Sequence, residues 1–191
     1  MIDYIKIAES VKFYESIGFE YIDVPWAVDL NWINVTIPEH RKAFKLDDKY
    51  LIGSGEQALI ELVASGLSGR YCCVTPCFRD EQIIDNLHKK FFMKTELIDT
   101  DASVENLHSI MNDCKEFFNR YVNNVSIIPV EPNSFGKLEE QATYDIVCNL
   151  GVDIIELGSY GIRTHSDVGS WIFATGCAEP RLSTVKGYEN G

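Results

Sequence analysis

Three segments of the chain have the three- and four-residue spacing of apolar side chains that predicts a helix: residues 4–16, 55–64 and 103–122. The last is the most regularly amphipathic, and Asp101 or Ser103 can cap its first turn. The sequence therefore predicts a few helices spread along the chain rather than a helical bundle.

Alternating or short apolar runs between turn residues predict the strands, which are residues 20–24, 71–78, 91–98, 125–130, 144–149, 154–158 and 171–175. Residues 31–35 are expected to form a hairpin-like segment, and residues 161–167 a mobile loop. Strands outnumber helices and do not alternate with them in repeated βαβ units. We therefore predict an α+β fold, with a mixed, mainly antiparallel β-sheet flanked by helices.

Length and composition indicate one domain over residues 1–191, without an internal repeat or linker. No apolar run is long enough to span a membrane, and the N-terminus has no secretory signal, so we expect a cytoplasmic protein. The six cysteines form no CxxC pair, which favours buried free thiols in a reducing compartment.

The net charge of −12, with 29 acidic against 17 basic residues, bears on the partners of the protein. A protein that binds a polyanion usually has a basic surface that neutralises phosphates. The sequence therefore makes tRNA an unlikely ligand for this chain alone.

The most informative chemistry lies in residues 77–81 and the segment that follows. Arg79 can bind a phosphate bidentately. Glu81, two residues along the same strand and therefore expected on the same face, can accept a hydrogen bond from an adenine amino group. An aromatic residue on the return strand can stack on the adenine ring. Alternation places only one of Phe91 and Phe92 on that face, and the spacing from His88 favours Phe92.

These residues belong to a wider pattern that resembles the catalytic core of class II aminoacyl-tRNA synthetases. Residues 13–26, a helix and a strand that ends at Pro25, resemble the first motif of that family. The second motif is matched by Phe78, Arg79 and Glu81, and by His88, Phe92 and Glu96 on the return strand. Residues 174–182 resemble the third motif through Gly176 and Arg181.

Two shorter signatures lie between these motifs in the order expected for the family. Residues 50–57 are similar to the loop that holds the amino group of the substrate, and residues 144–146 and 156–159 resemble strands that carry a glutamate contacting metal and ATP.

The resemblance implies that the protein uses ATP and Mg²⁺ to activate an amino acid or related small carboxylate as an adenylate. It implies that Arg79 holds the α-phosphate and Arg181 the γ-phosphate, while Glu81 and Phe92 hold adenine and His88 contacts a phosphate. It further assigns Glu156 to the metal, with Asp145 as a second ligand, and assigns Ser54, Glu56 and Ser159 to the substrate. The alternative for the arginines is an ordinary ion pair, and for Glu56 it is charge complementarity at a helix N-terminus.

Three residues depart from the family pattern: Ala178 stands where the third motif has glycine, Pro180 precedes Arg181, and Val147 replaces an acid. These departures leave several functions open. The acyl acceptor is expected to be a carrier-protein thiol, a small amine, ammonia or a protein side chain. The alternatives are a minimal tRNA synthetase or a synthetase subunit that needs a partner, and a non-catalytic module that binds an amino acid or nucleotide. The resemblance also implies a homodimer through residues 13–26. Over residues 1–191 we expect a single catalytic-core-like domain without an appended anticodon-binding domain.

Overall fold

The computed structural model describes residues 1–38, 40–132 and 138–189. The helices are α1 (Tyr4–Ser16), α2 (Leu30–Thr36), α3 (Glu56–Ala64), α4 (Val104–Asn119) and α5 (Arg181–Glu189). The strands are β1 (Glu20–Tyr21), β2 (Ala27–Val28), β3 (Phe44–Leu46), β4 (Lys49–Leu51), β5 (Arg70–Phe78), β6 (Phe91–Asp99), β7 (Val125–Pro129), β8 (Glu139–Leu150), β9 (Asp153–His165) and β10 (Gly169–Glu179).

A seven-stranded sheet in the order β1-β5-β6-β10-β9-β8-β7 forms the framework. The β1–β5 pair is parallel, and the other neighbouring pairs in this sheet are antiparallel. A small antiparallel sheet in the order β2-β4-β3 lies beside it. The prediction of a mixed, mainly antiparallel sheet flanked by helices is confirmed.

The two faces of the large sheet bury different helices, as alternation along the strands requires. Cys72, Leu97 and Ile172 belong to the hydrophobic cluster that contains the buried residues of α1 and α4. Their neighbours in sequence, Cys73, Ile98 and Trp171, belong to the cluster that contains α3. Because successive side chains of a strand point to opposite faces, α3 packs on the face opposite to α1 and α4.

Gly176 allows α1 to lie close against β10, the central strand. The strand is irregular between Thr175 and Cys177. A Cβ atom on Gly176 would lie 2.6 Å from the ring of Tyr14, which is fully buried. The Tyr14 hydroxyl donates a hydrogen bond of 2.8 Å to the Gly176 carbonyl. The glycine of the third motif is therefore a packing requirement as well as a family feature.

The expectation of a hairpin-like segment at residues 31–35 is wrong, because these residues lie inside α2. Their β-branched residues favour a strand, but Ile33 and Val35 are buried in clusters shared with α3, and this packing outweighs the local propensity.

The expectation of a mobile loop at residues 161–167 is also wrong. Residues 161–165 belong to β9 and pair with β10 in regular register. The polar character of Arg163 suggested exposure, but its charge is compensated inside the protein, as described below.

The predicted strand at residues 20–24 is shorter than expected and covers only β1. The interpretation of residues 1–191 as one domain stays a prediction. Within the described residues, no helix has both the length and the apolar character needed to cross a membrane.

Candidate active site

A cavity of about 310 Å³ opens between the β5–β6 hairpin, the loop before α3 and the junction of β10 with α5. It collects nearly all of the site residues predicted from the sequence: Ser54, Glu56, Arg79, Glu81, His88, Phe92, Glu156, Ser159 and Arg181. Asp145 does not line the cavity and lies behind it on β8. The structure thus brings residues from distant parts of the sequence to one concave site.

The hairpin fixes Arg79 above the aromatic ring expected to stack on a base. The Arg79 N–H donates to the Lys90 carbonyl at 3.0 Å, which continues the β5–β6 pairing by one residue. The Arg79 Nε donates to the Gly53 carbonyl at 3.1 Å, and the guanidinium lies 4.9 Å from the centroid of the Phe92 ring. Phe91 instead packs on Phe78 and is 44% exposed. Phe92, rather than Phe91, therefore lies on the cavity face.

Glu81 reaches the cavity by a different route from the one expected. Strand β5 ends at Phe78, and the Glu81 N–H donates to the Arg79 carbonyl at 2.9 Å, so the chain bends sharply here. The idea that Arg79 and Glu81 share the face of one continuous strand is wrong. The Glu81 carboxylate is held by Arg41, whose Nη1 donates to Glu81 Oε2 at 2.7 Å.

His88 lines the cavity, but its ring interacts with a neighbour in the same loop. Its Nδ1 lies 3.0 Å from Asp85 Oδ1 and Oδ2. This contact, together with the N–H groups of Leu87 and His88, lowers the pKa of Asp85 to about 2. Both side chains are half exposed.

The third-motif arginine meets the predicted metal ligand. Arg181 Nη1 donates to Glu156 Oε1 at 3.0 Å, and the Ser159 hydroxyl donates to the same oxygen at 3.3 Å. Pro180 directly precedes the first residue of α5, a position that a proline tolerates because the N–H groups there have no partner within the helix. The departure at Pro180 is therefore compatible with the expected place of Arg181.

Asp145 pairs with Ser159 in the β8–β9 register and lies close to Glu156. Burial, reinforced by the charge of Glu156, raises the pKa of Asp145. No group of three or more metal-ligating side chains exists in the described residues. The assignment of Glu156 and Asp145 to a metal stays a prediction.

The loop before α3 forms the other end of the cavity around a buried carboxylate, Glu96. Ser54 Oγ and Lys94 Nζ both donate to Glu96 Oε1, the latter at 2.7 Å, and the Glu56 N–H donates to Oε2 at 3.2 Å. Burial opposes the ionisation of Glu96, but the positive charge of Lys94 and the two side-chain hydrogen bonds outweigh it and lower the pKa of Glu96. A Cβ atom on Gly55 would lie 2.9 Å from Glu96 Oε2, so only glycine fits this close approach.

Glu56 itself belongs to a buried charged cluster beneath the cavity. Its carboxylate accepts a hydrogen bond from Arg163 Nη1 and one of 2.8 Å from Trp171 Nε1. Arg163 Nη2 also donates to Glu140 at 2.5 Å, and its guanidinium lies 3.7 Å from the centroid of the Phe173 ring. The Arg163 charge is therefore neutralised inside the protein. The predicted contact of Glu56 with a substrate ammonium stays a prediction.

Several charged cavity residues had no predicted role, among them Arg41 and Lys94, and Glu96 was predicted only as part of the second motif. A signal for Lys94 and Glu96 exists, because alternation from Phe92 places residues 94 and 96 on the same face of β6. No comparable signal exists for Arg41, which reaches the hairpin from an irregular segment 40 residues away in sequence.

The sequence matches no model of a known protein family and no curated protein, whereas its fold matches solved structures. Seryl-tRNA synthetase from Pyrococcus horikoshii, complexed with ATP, superposes with a TM-score of 0.78 and 17% identity over 95% of this chain and 49% of that one. Cytoplasmic serine-tRNA ligase from Naegleria fowleri, in complex with AMP, gives a TM-score of 0.71 and 16% identity over 95% of this chain and 47% of that one. Pyrrolysyl-tRNA synthetase from Desulfitobacterium hafniense gives a TM-score of 0.75 and 16% identity over 97% of this chain and 69% of that one.

These similarities establish the fold. The chain has the fold of the class II aminoacyl-tRNA synthetase catalytic core, which confirms the resemblance stated from the motifs. The chain spans about half the length of the two seryl enzymes.

Proposed function

We propose that the protein activates an amino acid, or a related small carboxylate, with ATP to form an acyl adenylate. The observation that carries this proposal is the convergence of Arg79, Glu81, Phe92, Glu156 and Arg181 on one cavity. The ATP and AMP complexes of the two similar seryl enzymes support the assignment of a nucleotide to this cavity.

The reaction needs positioning and charge neutralisation more than covalent help from the protein. An oxygen of the substrate carboxylate attacks the α-phosphorus of ATP, and the bond from that phosphorus to the bridging oxygen of pyrophosphate breaks. Arg79 is fixed through Nε, which leaves its terminal nitrogens as donors to the α-phosphate and the substrate carboxylate. Arg181 binds the γ-phosphate by exchanging its contact with Glu156 for a phosphate oxygen.

The donor set at the mouth of the cavity fits Mg²⁺, which typically takes one or two carboxylates and completes its coordination with waters and phosphate oxygens. Glu156 would hold the ion, with Asp145 as the second carboxylate and Ser159 supporting Glu156. Burial, and after it the charge of Glu156, raises the pKa of Asp145, and a cation bound beside both carboxylates would favour their ionised forms. Bound Mg²⁺ would neutralise charge on the β- and γ-phosphates.

The substrate ammonium is proposed to bind at the Ser54 end of the cavity, near the carboxylates of Glu56 and Glu96. Glu96 already accepts a hydrogen bond of 2.7 Å from Lys94, so the ammonium would share this carboxylate with Lys94. Ser159, across the cavity, is proposed to contact the same substrate.

We propose an acceptor other than tRNA: a carrier-protein thiol, a small amine, ammonia or a protein side chain. The net charge of −12 supports this choice, since a tRNA needs compensating positive surface. A tRNA gel shift at increasing salt tests it. A salt-sensitive complex of this chain alone with tRNA would instead favour a minimal synthetase.

A homodimer through residues 13–26 is part of the proposal. Phe13 is buried inside the protein, but Tyr21 and Trp26 are 36% and 57% exposed, and β1 is an edge strand of the large sheet. Light scattering at micromolar concentration tests this state, and a monomer would contradict it. A cytoplasmic location is also proposed, with the six free, buried cysteines in support.

The deciding experiment is ATP–pyrophosphate exchange with pooled amino acids, comparing the native protein with Arg79→Ala. We expect exchange with at least one pool and a loss of about 100-fold or more in the variant, because a preorganised phosphate ligand is removed. Arg120→Ala is the matched control, since Arg120 does not line the cavity and forms an exposed pair with Glu116. Its guanidinium also lies 4.2 Å from the centroid of the Phe13 ring, so thermal melting must verify that this variant folds.

Three results would change the proposal. Exchange that survives in Arg79→Ala would place the chemistry elsewhere. ATP binding without exchange in any pool would favour a non-catalytic amino acid- or nucleotide-binding module. The absence of both ATP binding and pyrophosphate exchange would contradict the proposal altogether.

A further inference from the structure

Arg41 is the cavity residue whose position the motifs do not explain. It follows a turn in which its N–H donates to the Pro38 carbonyl at 2.9 Å. From there its side chain crosses to the β5–β6 hairpin, where Nη1 donates to the Asp80 carbonyl at 2.8 Å and to Glu81 Oε2 at 2.7 Å. One guanidinium nitrogen therefore holds both the backbone before Glu81 and the Glu81 carboxylate.

Glu81 needs such a support because the sheet does not supply one. The ladder of β5 and β6 ends before this residue, and the Glu81 N–H is used within the bend by the Arg79 carbonyl. The Arg41–Glu81 pair is only partly accessible, with side-chain exposures of 28% and 12%. A charge-assisted hydrogen bond in such a setting fixes the direction of the carboxylate.

We propose that Arg41 is a positioning residue that fixes Glu81 as an adenine-selective acceptor. With Oε2 held by Arg41, Oε1 remains as the acceptor for the base. An ionised carboxylate can only accept hydrogen bonds. Adenine has an amino group at C6, whereas guanine has a carbonyl oxygen there. With the C6 substituent of the base facing Oε1, a fixed Glu81 accepts a hydrogen bond from the adenine amino group and repels the guanine carbonyl oxygen, and Arg41 contributes to nucleotide specificity through it.

This inference rests on the proposed ATP-binding function, and titration calorimetry with ATP and with GTP separates the two. The variants are Arg41→Ala, Arg41→Lys, Glu81→Gln and the double variant Arg41→Ala/Glu81→Gln. Lys45→Ala is the control, because it removes one positive charge from an exposed site on β3 that does not line the cavity. Thermal melting of each variant verifies that it folds.

We expect Arg41→Ala to weaken ATP binding about ten-fold, the typical effect of losing a hydrogen bond to a charged group. GTP binding should change less than about two-fold, so the ATP preference falls. Arg41→Lys should restore part of the preference, because it returns the charge. In the Glu81→Gln background, Arg41→Ala should add less than about two-fold, since its effect passes through the missing carboxylate.

Two results would overturn this inference and leave the proposed function standing. One is native ATP affinity in Arg41→Ala, and the other is losses of ATP affinity in Arg41→Ala and Glu81→Gln that add fully in the double variant. An equal loss of ATP and GTP affinity would also overturn it, because Arg41 would then act on the phosphates or on the fold. A native protein that binds no ATP would overturn the proposed function and this inference with it.

Discussion

The two ends of the cavity use the same kind of interaction in different surroundings. At the base, Arg163 lies between Glu56 and Glu140, and the three side chains are 11%, 7% and 1% exposed. At the mouth, Arg181 pairs with Glu156 at side-chain exposures of 23% and 45%. Buried charges must stay paired because each loses its hydration, whereas exposed partners separate at little cost. The base is therefore suited to fix the shape of the cavity, and the mouth to exchange its partners for a ligand.

The largest effect on stability is expected from disrupting the buried cluster of Arg163, Glu56 and Glu140 at the base of the cavity. Arg163→Ala leaves the buried carboxylates of Glu56 and Glu140 without their shared cation, which should lower the free energy of unfolding by about 3–5 kcal/mol. Urea denaturation at pH 7 measures it. A loss smaller than about 1 kcal/mol would mean that solvent reaches these carboxylates and that the base is not a dry, fixed structure.

A smaller loss of stability is expected from replacing Glu96. The pH dependence of this loss distinguishes the Glu96 end of the cavity from the mouth. The folded-state pKa of Glu96 lies below its ordinary value of 4.5, so its ionised form stabilises the fold above that pH. This contribution is lost as the pH falls through the folded-state pKa. Glu96→Gln should therefore cost about 2 kcal/mol at pH 7 and little at the acid end of a urea series between about pH 3 and 7.

The pKa of Asp145, behind the mouth, is shifted in the opposite direction to that of Glu96, so Asp145 is the control for this experiment. Its raised folded-state pKa means that its contribution is present below the ordinary value and is lost as the pH rises through the folded-state value. Asp145→Asn should therefore make the protein more stable at pH 7 without Mg²⁺. Equal pH profiles for the two variants would contradict the contrast.

The smallest effect on stability is expected at the mouth. Arg181→Ala should change the free energy of unfolding by less than about 1 kcal/mol, because its pair with Glu156 is partly exposed. Pyrophosphate exchange in the same variant should nevertheless fall about 100-fold or more, because the γ-phosphate loses its ligand. A variant that loses stability and keeps exchange would reverse the roles assigned to the two ends.

The sequence was most informative where local spacing determines geometry. The helix at residues 103–122 and the hairpin strands were predicted because their side chains follow simple periods. The period of two allowed only one of Phe91 and Phe92 on the site face, and the spacing from His88 favoured Phe92. The same period extends to Lys94 and would have placed it in the site beside Glu96 of the second motif. Segment α2 was misread because its β-branched residues favour a strand until α3 covers them.

Charged residues were the least predictable part of the site. Arg163 lies in a polar segment of the kind that usually forms a loop. Its burial is possible only because Glu56 and Glu140, from other elements, lie beside it. Arg41 likewise gains its significance from a contact with Glu81 across 40 residues. Spacing along the chain contains no information about such pairs, because they depend on which segments the fold brings together.

The position of β10 has a consequence for synthesis on the ribosome. It is the last strand in chain order, yet it occupies the centre of the sheet between β6 and β9. Until β10 emerges, the β5–β6 and β7–β9 units each expose an unpaired inner edge, and α1 lacks the strand that Tyr14 packs against. Completion of the sheet therefore waits for residues 169–179, and nascent chains that stop before them are expected to be targets for chaperones and for edge-to-edge aggregation.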